Sequence, residues 1–179
     1  MRLFVALDVP PGVRAALASW AHETVGEDER LRLIAVESLH ATLVFLGERP
    51  DAEAPQLSEA VMGAVGEAAP PLVVDGPLWL SPRRPHVLAA RLADPSGGLA
   101  RTHAALLEAL GREPEPRPLL PHVTVARVRG RVRPFKVPAP PAIEFAGTAV
   151  TLYRSILNPA HAGPARYEPL ASVSLSTLP

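Results

Sequence analysis

Apolar and polar positions along this chain fall into short runs separated by prolines and glycines. Arg2 to Leu7 is an almost unbroken apolar run and predicts a buried first strand. Pro10-Pro11 then opens a helix that runs to about Thr24, with Val13, Leu17 and Trp20 at helical spacing. Leu33 to Val36 and Leu39 to Leu46 predict two strands about a turn at Glu37-Ser38, and Gly47 closes the second. Pro55 to about Ala68 reads as a second amphipathic helix, with Leu57, Val61 and Val65 on one stripe. Leu72 to Leu80 and Val87 to Leu92 predict strands on either side of the turn Ser81-Pro82-Arg83-Arg84-Pro85. Ser96 is placed to cap a helix carrying Leu99, His103, Leu106 and Leu110, which Gly111 ends. A proline-rich connector follows, and then strands at His122 to Val128, Ile143 to Tyr153 and Tyr167 to Leu175. The irregular alternation and the short turns predict an α+β protein with antiparallel pairing, not a doubly wound parallel sheet.

Composition narrows this. The chain has 179 residues, enough for one domain, 1–179, built from two similar lobes. It has no cysteine, which removes disulfides, thiolate catalysis and cysteine-ligated metal centres. Eighteen basic and 18 acidic side chains cancel, so a bulk electrostatic grip on duplex nucleic acid is not expected. Lys136 is the single lysine; arginine supplies the rest of the positive charge. No stretch is apolar for long enough to span a bilayer, and the first apolar run is too short for a signal peptide. A cytoplasmic location and no membrane contact are the expectations, and the lack of coiled-coil heptads adds a monomer without an obligate protein partner.

The chemistry lies in two matching segments. Leu39-His40-Ala41-Thr42-Leu43 and Pro121-His122-Val123-Thr124-Val125 each place histidine and threonine two apart in an apolar run. Strand residues two apart share a face, so His40 projects with Thr42, and His122 with Thr124. One such pair in a strand is unremarkable. Two in matching contexts, 82 residues apart in a chain about twice that long, predict a symmetric site. Polar pairs in hydrophobic strands are costly unless they are satisfied or line a cleft. Two imidazoles and two hydroxyls suit in-line displacement at phosphorus. A neutral imidazole takes a proton from the nucleophile and a protonated one gives a proton to the leaving oxygen. The hydroxyls donate to the non-bridging oxygens. This chemistry needs no metal and no cofactor.

No other constellation competes. His22-Glu23 begins like a zinc-protease helix, but Gly26 stands where the second histidine would be. Gly97-Gly98 belongs to the start of a helix. His86, His103 and His161 read as structural or surface residues. Phe45 faces away from His40 by strand parity and is assigned to the core. Trp79 and Tyr167 are aromatic candidates for stacking on a base, with packing the favoured role. The run Arg127, Arg129, Arg131, Arg133, Lys136, alternating with Val128, Gly130 and Val132, reads as a strand with a basic edge. Two roles stay open for it: holding an RNA backbone, or a solvated edge that resists aggregation. Arg83-Arg84 is a weaker version of the same feature.

These residues resemble the two-histidine (2H) phosphoesterase superfamily, and within it the LigT-like branch. The resemblance rests on Arg2-Leu3-Phe4-Val5-Ala6-Leu7-Asp8, His40-Ala41-Thr42-Leu43 with Phe45-Leu46-Gly47-Glu48, and His122-Val123-Thr124-Val125 with Arg127. Leu152-Tyr153-Arg154-Ser155 and Arg166-Tyr167-Glu168-Pro169-Leu170 extend it over nearly the whole chain. It implies a bilobal α+β fold in which two antiparallel sheets face a central cleft, helices lie outside, and a pseudo-twofold relates the lobes. It implies hydrolysis of a terminal RNA 2′,3′-cyclic phosphate, on RNA ends or small nucleotides, to a 2′-phosphomonoester. His40 matches the family's proton donor, His122 its proton acceptor, and Thr42 and Thr124 its phosphate-binding positions. The alternatives are 2′-5′ RNA ligation or cleavage of 2′,5′-linked oligonucleotides by the same histidines, and a non-catalytic module that binds RNA ends. Arg127 matches a family arginine near the phosphate. Strict alternation, however, sets it on the face opposite His122 and Thr124, unless a bulge redirects it.

Overall fold

The computed structural model of the chain describes residues 1–81, 83–114, 116–156 and 166–177. Its strands and helices are β1 (Arg2–Asp8), α1 (Pro11–Val25), β2 (Leu31–Leu33), β3 (His40–Glu48), α2 (Ala54–Ala64), β4 (Pro71–Leu80), β5 (Val87–Ala93), α3 (Gly98–Ala109), β6 (His122–Val128), β7 (Glu144–Ala146), β8 (Ala149–Ile156) and β9 (Arg166–Ser174). These strands pair antiparallel in the order β7-β4-β5-β6-β3-β1-β8-β9, with β2 added to β6. The order is near-symmetric about its centre. From β3 one half runs outward through β1, β8 and β9; from β6 the other runs through β5, β4 and β7. The halves meet through a single registered pair, Ala41 opposite Val123. Each His-x-Thr strand is thus the inner edge of its half, which is how the α+β, two-lobed arrangement brings the motifs together.

One hydrophobic cluster underlies both halves. β1 runs through it with Leu3, Phe4, Val5, Ala6 and Leu7 all buried. The helices add one face each: Val13, Leu17 and Trp20 from α1, Val61 from α2, and Leu99 and Leu106 from α3. Each fully buried leucine among these stabilises the fold by about 1.5–3 kcal/mol. No helix among the described residues is long and apolar enough to cross a membrane.

Several elements differ from expectation for local physical reasons. The predicted strand Leu33–Val36 is displaced: β2 covers Leu31–Leu33 and pairs with β6, and Val36–Ser38 forms a 3-10 turn that leads into β3. α2 stops at Ala64 rather than Ala68, because Val65 turns extended (φ −95°, ψ 120°) between Gly63 and Gly66, which weaken helix. The predicted strand Ile143–Tyr153 breaks at Gly147 as the chain crosses from β4's edge to β1's edge, and a side chain at Gly147 would collide with Leu7. β3 continues past Gly47 to Glu48 because that glycine takes φ +73°, open to a residue without Cβ. At α3 the N-cap is Gly97 (φ +66°), not Ser96; from just outside the helix Ser96 Oγ accepts from the Gly98 N–H (3.1 Å) and Asp94 accepts from the Ala100 N–H (3.0 Å). The basic run is not a strand. β6 ends at Val128, and residues 129–143 form neither helix nor strand, as Pro134, Pro138, Pro140 and Pro141 remove backbone donors. That segment is still anchored, by burial of Val132 and Val137 and by indole N–H groups donating to carbonyls: Trp79 to Phe135 (3.0 Å) and Trp20 to Pro138 (3.1 Å).

Candidate active site

His40 opens β3 and His122 opens β6, on the two strands joined at Ala41 and Val123. Each imidazole is held alike. His40 Nδ1–H donates to the Ser38 carbonyl at 2.8 Å, and His122 Nδ1–H donates to the Leu120 carbonyl at 2.7 Å. A carbonyl only accepts, so Nδ1 carries a hydrogen in both rings and Nε2 is left for chemistry. A neutral ring in this pose offers an Nε2 lone pair; a protonated ring offers an Nε2–H. One geometry therefore suits either a base or an acid. Both histidines, both threonines, Phe45 and Arg127 line one cleft of about 260 Å³.

Two matched bulges decide who joins them. In β3, Ala6 of β1 faces Thr42 while Val5 faces Val44, which leaves Leu43 as an extra residue. In β6, Ala89 of β5 faces Thr124 while Leu88 faces Ala126, which leaves Val125 extra. Each bulge follows the threonine directly, and each buries two successive apolar residues: Leu43 with Val44, and Val125 with Ala126. Beyond a bulge the parity reverses. Arg127 accordingly shares the face of His122 and Thr124, which settles the conflict between strict alternation and the resemblance in favour of the cleft. The same slip corrects the assignment of Phe45. It is not in the core; it is 66% exposed, on the His40 face. Phe45 and Arg127 stand five residues after their histidines and are counterparts in the two halves.

The two histidines differ in what surrounds them. Phe4 stacks on the His40 ring (centroids 5.0 Å apart), and Tyr167 meets it edge-on at 5.2 Å. This wedge fixes the ring and strips its water, so burial pushes the His40 pKa below the usual histidine value. The Ser38 carbonyl and the Asp8 carboxylate act the other way, while the nearby Arg127 and His122 add to the lowering. Asp8 stands opposite His40 in register and is itself held by Tyr153 Oη–H (2.8 Å) and Thr151 Oγ–H (2.7 Å). Burial and the bond to Asp8 push the Tyr153 hydroxyl up to about 12, so it stays a donor.

Sequence reasoning missed Arg32 and Arg2. Arg32 of β2 lies directly opposite Arg127 on β6, hence on the same face, and both line the cleft together with Arg2. No carboxylate lines that cleft among the described residues. Two arginines opposed without a carboxylate between them repel, which an anion relieves. The signal for Arg32 is tertiary, since nothing in the sequence pairs β2 with β6. Tyr167 packs edge-on against Phe4 and His40, as favoured for it, and also lines the cleft. Trp79 does pack, edge-on against Phe135 at 5.2 Å. His86 is exposed just before β5, and the expectation for His161 lies outside the described residues.

Paired imidazoles with free Nε2 atoms, flanking hydroxyls and unpaired arginines in an acid-free cleft define an acid–base phosphoesterase site. A family model described as the 2'-5' RNA ligase superfamily matches residues 9–156, and the chain belongs to that family of two-histidine phosphoesterases. It is 30% identical to an Escherichia coli (strain K12) protein named RNA 2',3'-cyclic phosphodiesterase, over 98% of this chain and 97% of that one. Among solved structures, TT0787 of Thermus thermophilus superposes with a TM-score of 0.82 at 28% identity, over 99% of each chain. E. coli LigT complexed with 3'-AMP gives 0.77 at 30% identity, over 98% of each.

Proposed function

We propose that this protein is an RNA 2′,3′-cyclic phosphodiesterase that opens the terminal cyclic phosphate to a 2′-phosphomonoester. The observation that carries the reading is the matched tethering of the two Nδ1–H groups, which turns both Nε2 atoms to one cleft. His122 Nε2 accepts a proton from water as its oxygen bonds to phosphorus. The P–O3′ bond breaks in line, and His40 Nε2–H gives its proton to O3′. The histidines leave with their protonation states exchanged and reset through solvent. Thr42 and Thr124 donate to the non-bridging oxygens, and Arg127 offers its paired N–H groups to the same charge. In this reading the chain acts as a single domain and a monomer, on RNA ends or small nucleotides of the cytoplasm, with no metal or cofactor. The test is turnover of a short RNA ending in 2′,3′-cyclic phosphate by chelator-treated protein. A 2′-phosphate product supports the reading, and a 3′-phosphate product overturns the leaving-group assignment.

Asp8 gives a test of which histidine is the acid. Its charge raises the His40 pKa, so Asp8→Asn lowers it. With His40 as donor, the variant loses kcat/KM at neutral and alkaline pH, where fewer molecules hold that proton. On the acidic limb His40 is protonated in nearly every molecule, and the rates coincide with the wild type. With His40 as acceptor the pattern inverts: the variant gains activity at low pH and matches the wild type at high pH. A pH profile of kcat/KM for both proteins separates the two.

Phe45 supplies a stacking surface for the terminal base. Base–aromatic stacking is worth about 1–3 kcal/mol. Phe45→Ala is therefore expected to raise KM about tenfold while leaving Tm nearly unchanged. A fall in stability of about 3–5 kcal/mol, the usual cost of emptying a core phenylalanine site, would contradict its position at the surface.

A further inference from the structure

The net charge is zero, with 18 basic side chains against 18 acidic ones, yet one depression gathers four arginines. Arg83 and Arg84, from the turn between β4 and β5, meet Arg131 and Arg133, from the segment after β6, around a depression of about 430 Å³. These four come from loops far apart in sequence, and no carboxylate lines the depression among the described residues. None of the four makes an ion pair with a described residue; the pairs present involve Arg30, Arg49, Arg91 and the N-terminus. The chain leads from the cleft to the depression: Arg127 lines the one and Gly130, three residues on, lines the other. The Val128 N–H donates to the His86 carbonyl (2.9 Å), and Val87 stands opposite Arg127, which sets the Arg83-Arg84 turn at the end of β6 where Arg127 enters the site. Arg127 in the cleft and Arg131 and Arg133 in the depression follow one another along the chain past the end of β6, a cationic track that leads from the active cleft. The anchored valines and indole bonds hold the 129–143 segment in place, so the guanidiniums on it have a fixed base.

The direction of the track matches the reaction. β3 and β6 are antiparallel, so the C-terminal end of β6 lies at the His40 end of β3. An in-line displacement with His40 on O3′ puts the ribose on the His40 side of phosphorus, and the preceding nucleotides continue from that ribose. We infer that single-stranded RNA upstream of the reacting phosphate runs over Arg83, Arg84, Arg131 and Arg133, which bind its phosphodiesters. This rests on the proposed phosphodiesterase reading. It makes the protein selective for RNA ends over cyclic mononucleotides, because only the former reach the track.

The test compares a nucleoside 2′,3′-cyclic phosphate with an RNA of about eight nucleotides bearing the same end. A variant with Arg83→Gln, Arg84→Gln, Arg131→Gln and Arg133→Gln is expected to raise the oligonucleotide KM about tenfold or more, and to leave mononucleotide kcat/KM unchanged. Its log kcat/KM for the oligonucleotide falls less steeply with log salt, by about 2–3 units of slope, since each single-strand phosphate contact adds about 0.7. The matching Arg→Lys variant keeps charge and retains most of the oligonucleotide advantage. An oligonucleotide KM and salt slope equal to the wild type overturn the inference, as does an equal loss on both substrates, which means that the loops act through the fold. If the wild-type protein turns over neither substrate, the phosphodiesterase reading is what fails. Fluorescence anisotropy with a labelled RNA ending in 2′-phosphate then decides the track alone: weaker binding by the Gln variant sustains it, and equal binding removes it.

Discussion

Replacing His122 with alanine is expected to lower kcat by about 10²–10⁴-fold, the range for losing a positioned acid or base. KM for a cyclic phosphate end should change little, because Thr42, Thr124 and Arg127 remain to hold the phosphate. His40→Ala should lose activity on the same scale, and the double variant should lose far less than the product, since the two rings serve one step. The two variants should differ when the leaving group changes. A nucleoside 2′-(4-nitrophenyl) phosphate releases a phenolate that needs no proton, so His40→Ala should regain much of its loss on that diester. His122→Ala should not, because water still has to lose its proton. Steady-state kinetics on both substrates checks this. Loss of both histidines without effect on turnover would remove the two-histidine mechanism.

Arg127→Ala is expected to lower kcat by about 10²–10³-fold, as for removal of a donor aimed at developing charge. The bulge at Val125 is what gives this residue its effect, because it turns the guanidinium into the cleft. Arg127→Lys should recover only part of the rate: an ammonium keeps the charge but loses the planar fork that matches two phosphate oxygens. Tm of the alanine variant should equal or exceed that of the wild type, since Arg127 stands opposite Arg32 with no carboxylate between them in the cleft. Phosphate or a 2′-nucleotide should in turn raise the wild-type Tm more than the variant's. Kinetics with thermal melts, with and without the anion, test both statements. A fully active alanine variant would return Arg127 to the status of a surface arginine.

Much of the site could be read before any fold was known. His40, Thr42, His122 and Thr124 are legible because a strand's period of two puts each pair on one face, and because the pattern occurs twice. Arg127 and Phe45 were not legible by that rule, because the register slips just before each of them. Leu43-Val44 and Val125-Ala126 are adjacent apolar pairs that cannot both turn inward in a regular strand. Both pairs are buried, and the register slips at each, so everything after them changes face. The basic run misled differently. Its alternation with valine and glycine has a strand's period, but the prolines that follow deny it a partner, and it lies along the loops instead.

By itself the sequence determined the antiparallel α+β class, the positions of most strands and all three helices, and the pairing of each imidazole with a threonine hydroxyl on one strand face. These are local matters, set by side-chain periodicity and by proline and glycine. Only the tertiary structure decided that the two motif strands touch through Ala41 and Val123, that Asp8 and Phe4 set the electrostatics of His40, and that Arg32 faces Arg127. Those contacts join segments tens of residues apart. They depend on which strand edges remain free to pair and on how the bulges twist the strands, and neither is written in any local stretch of chain.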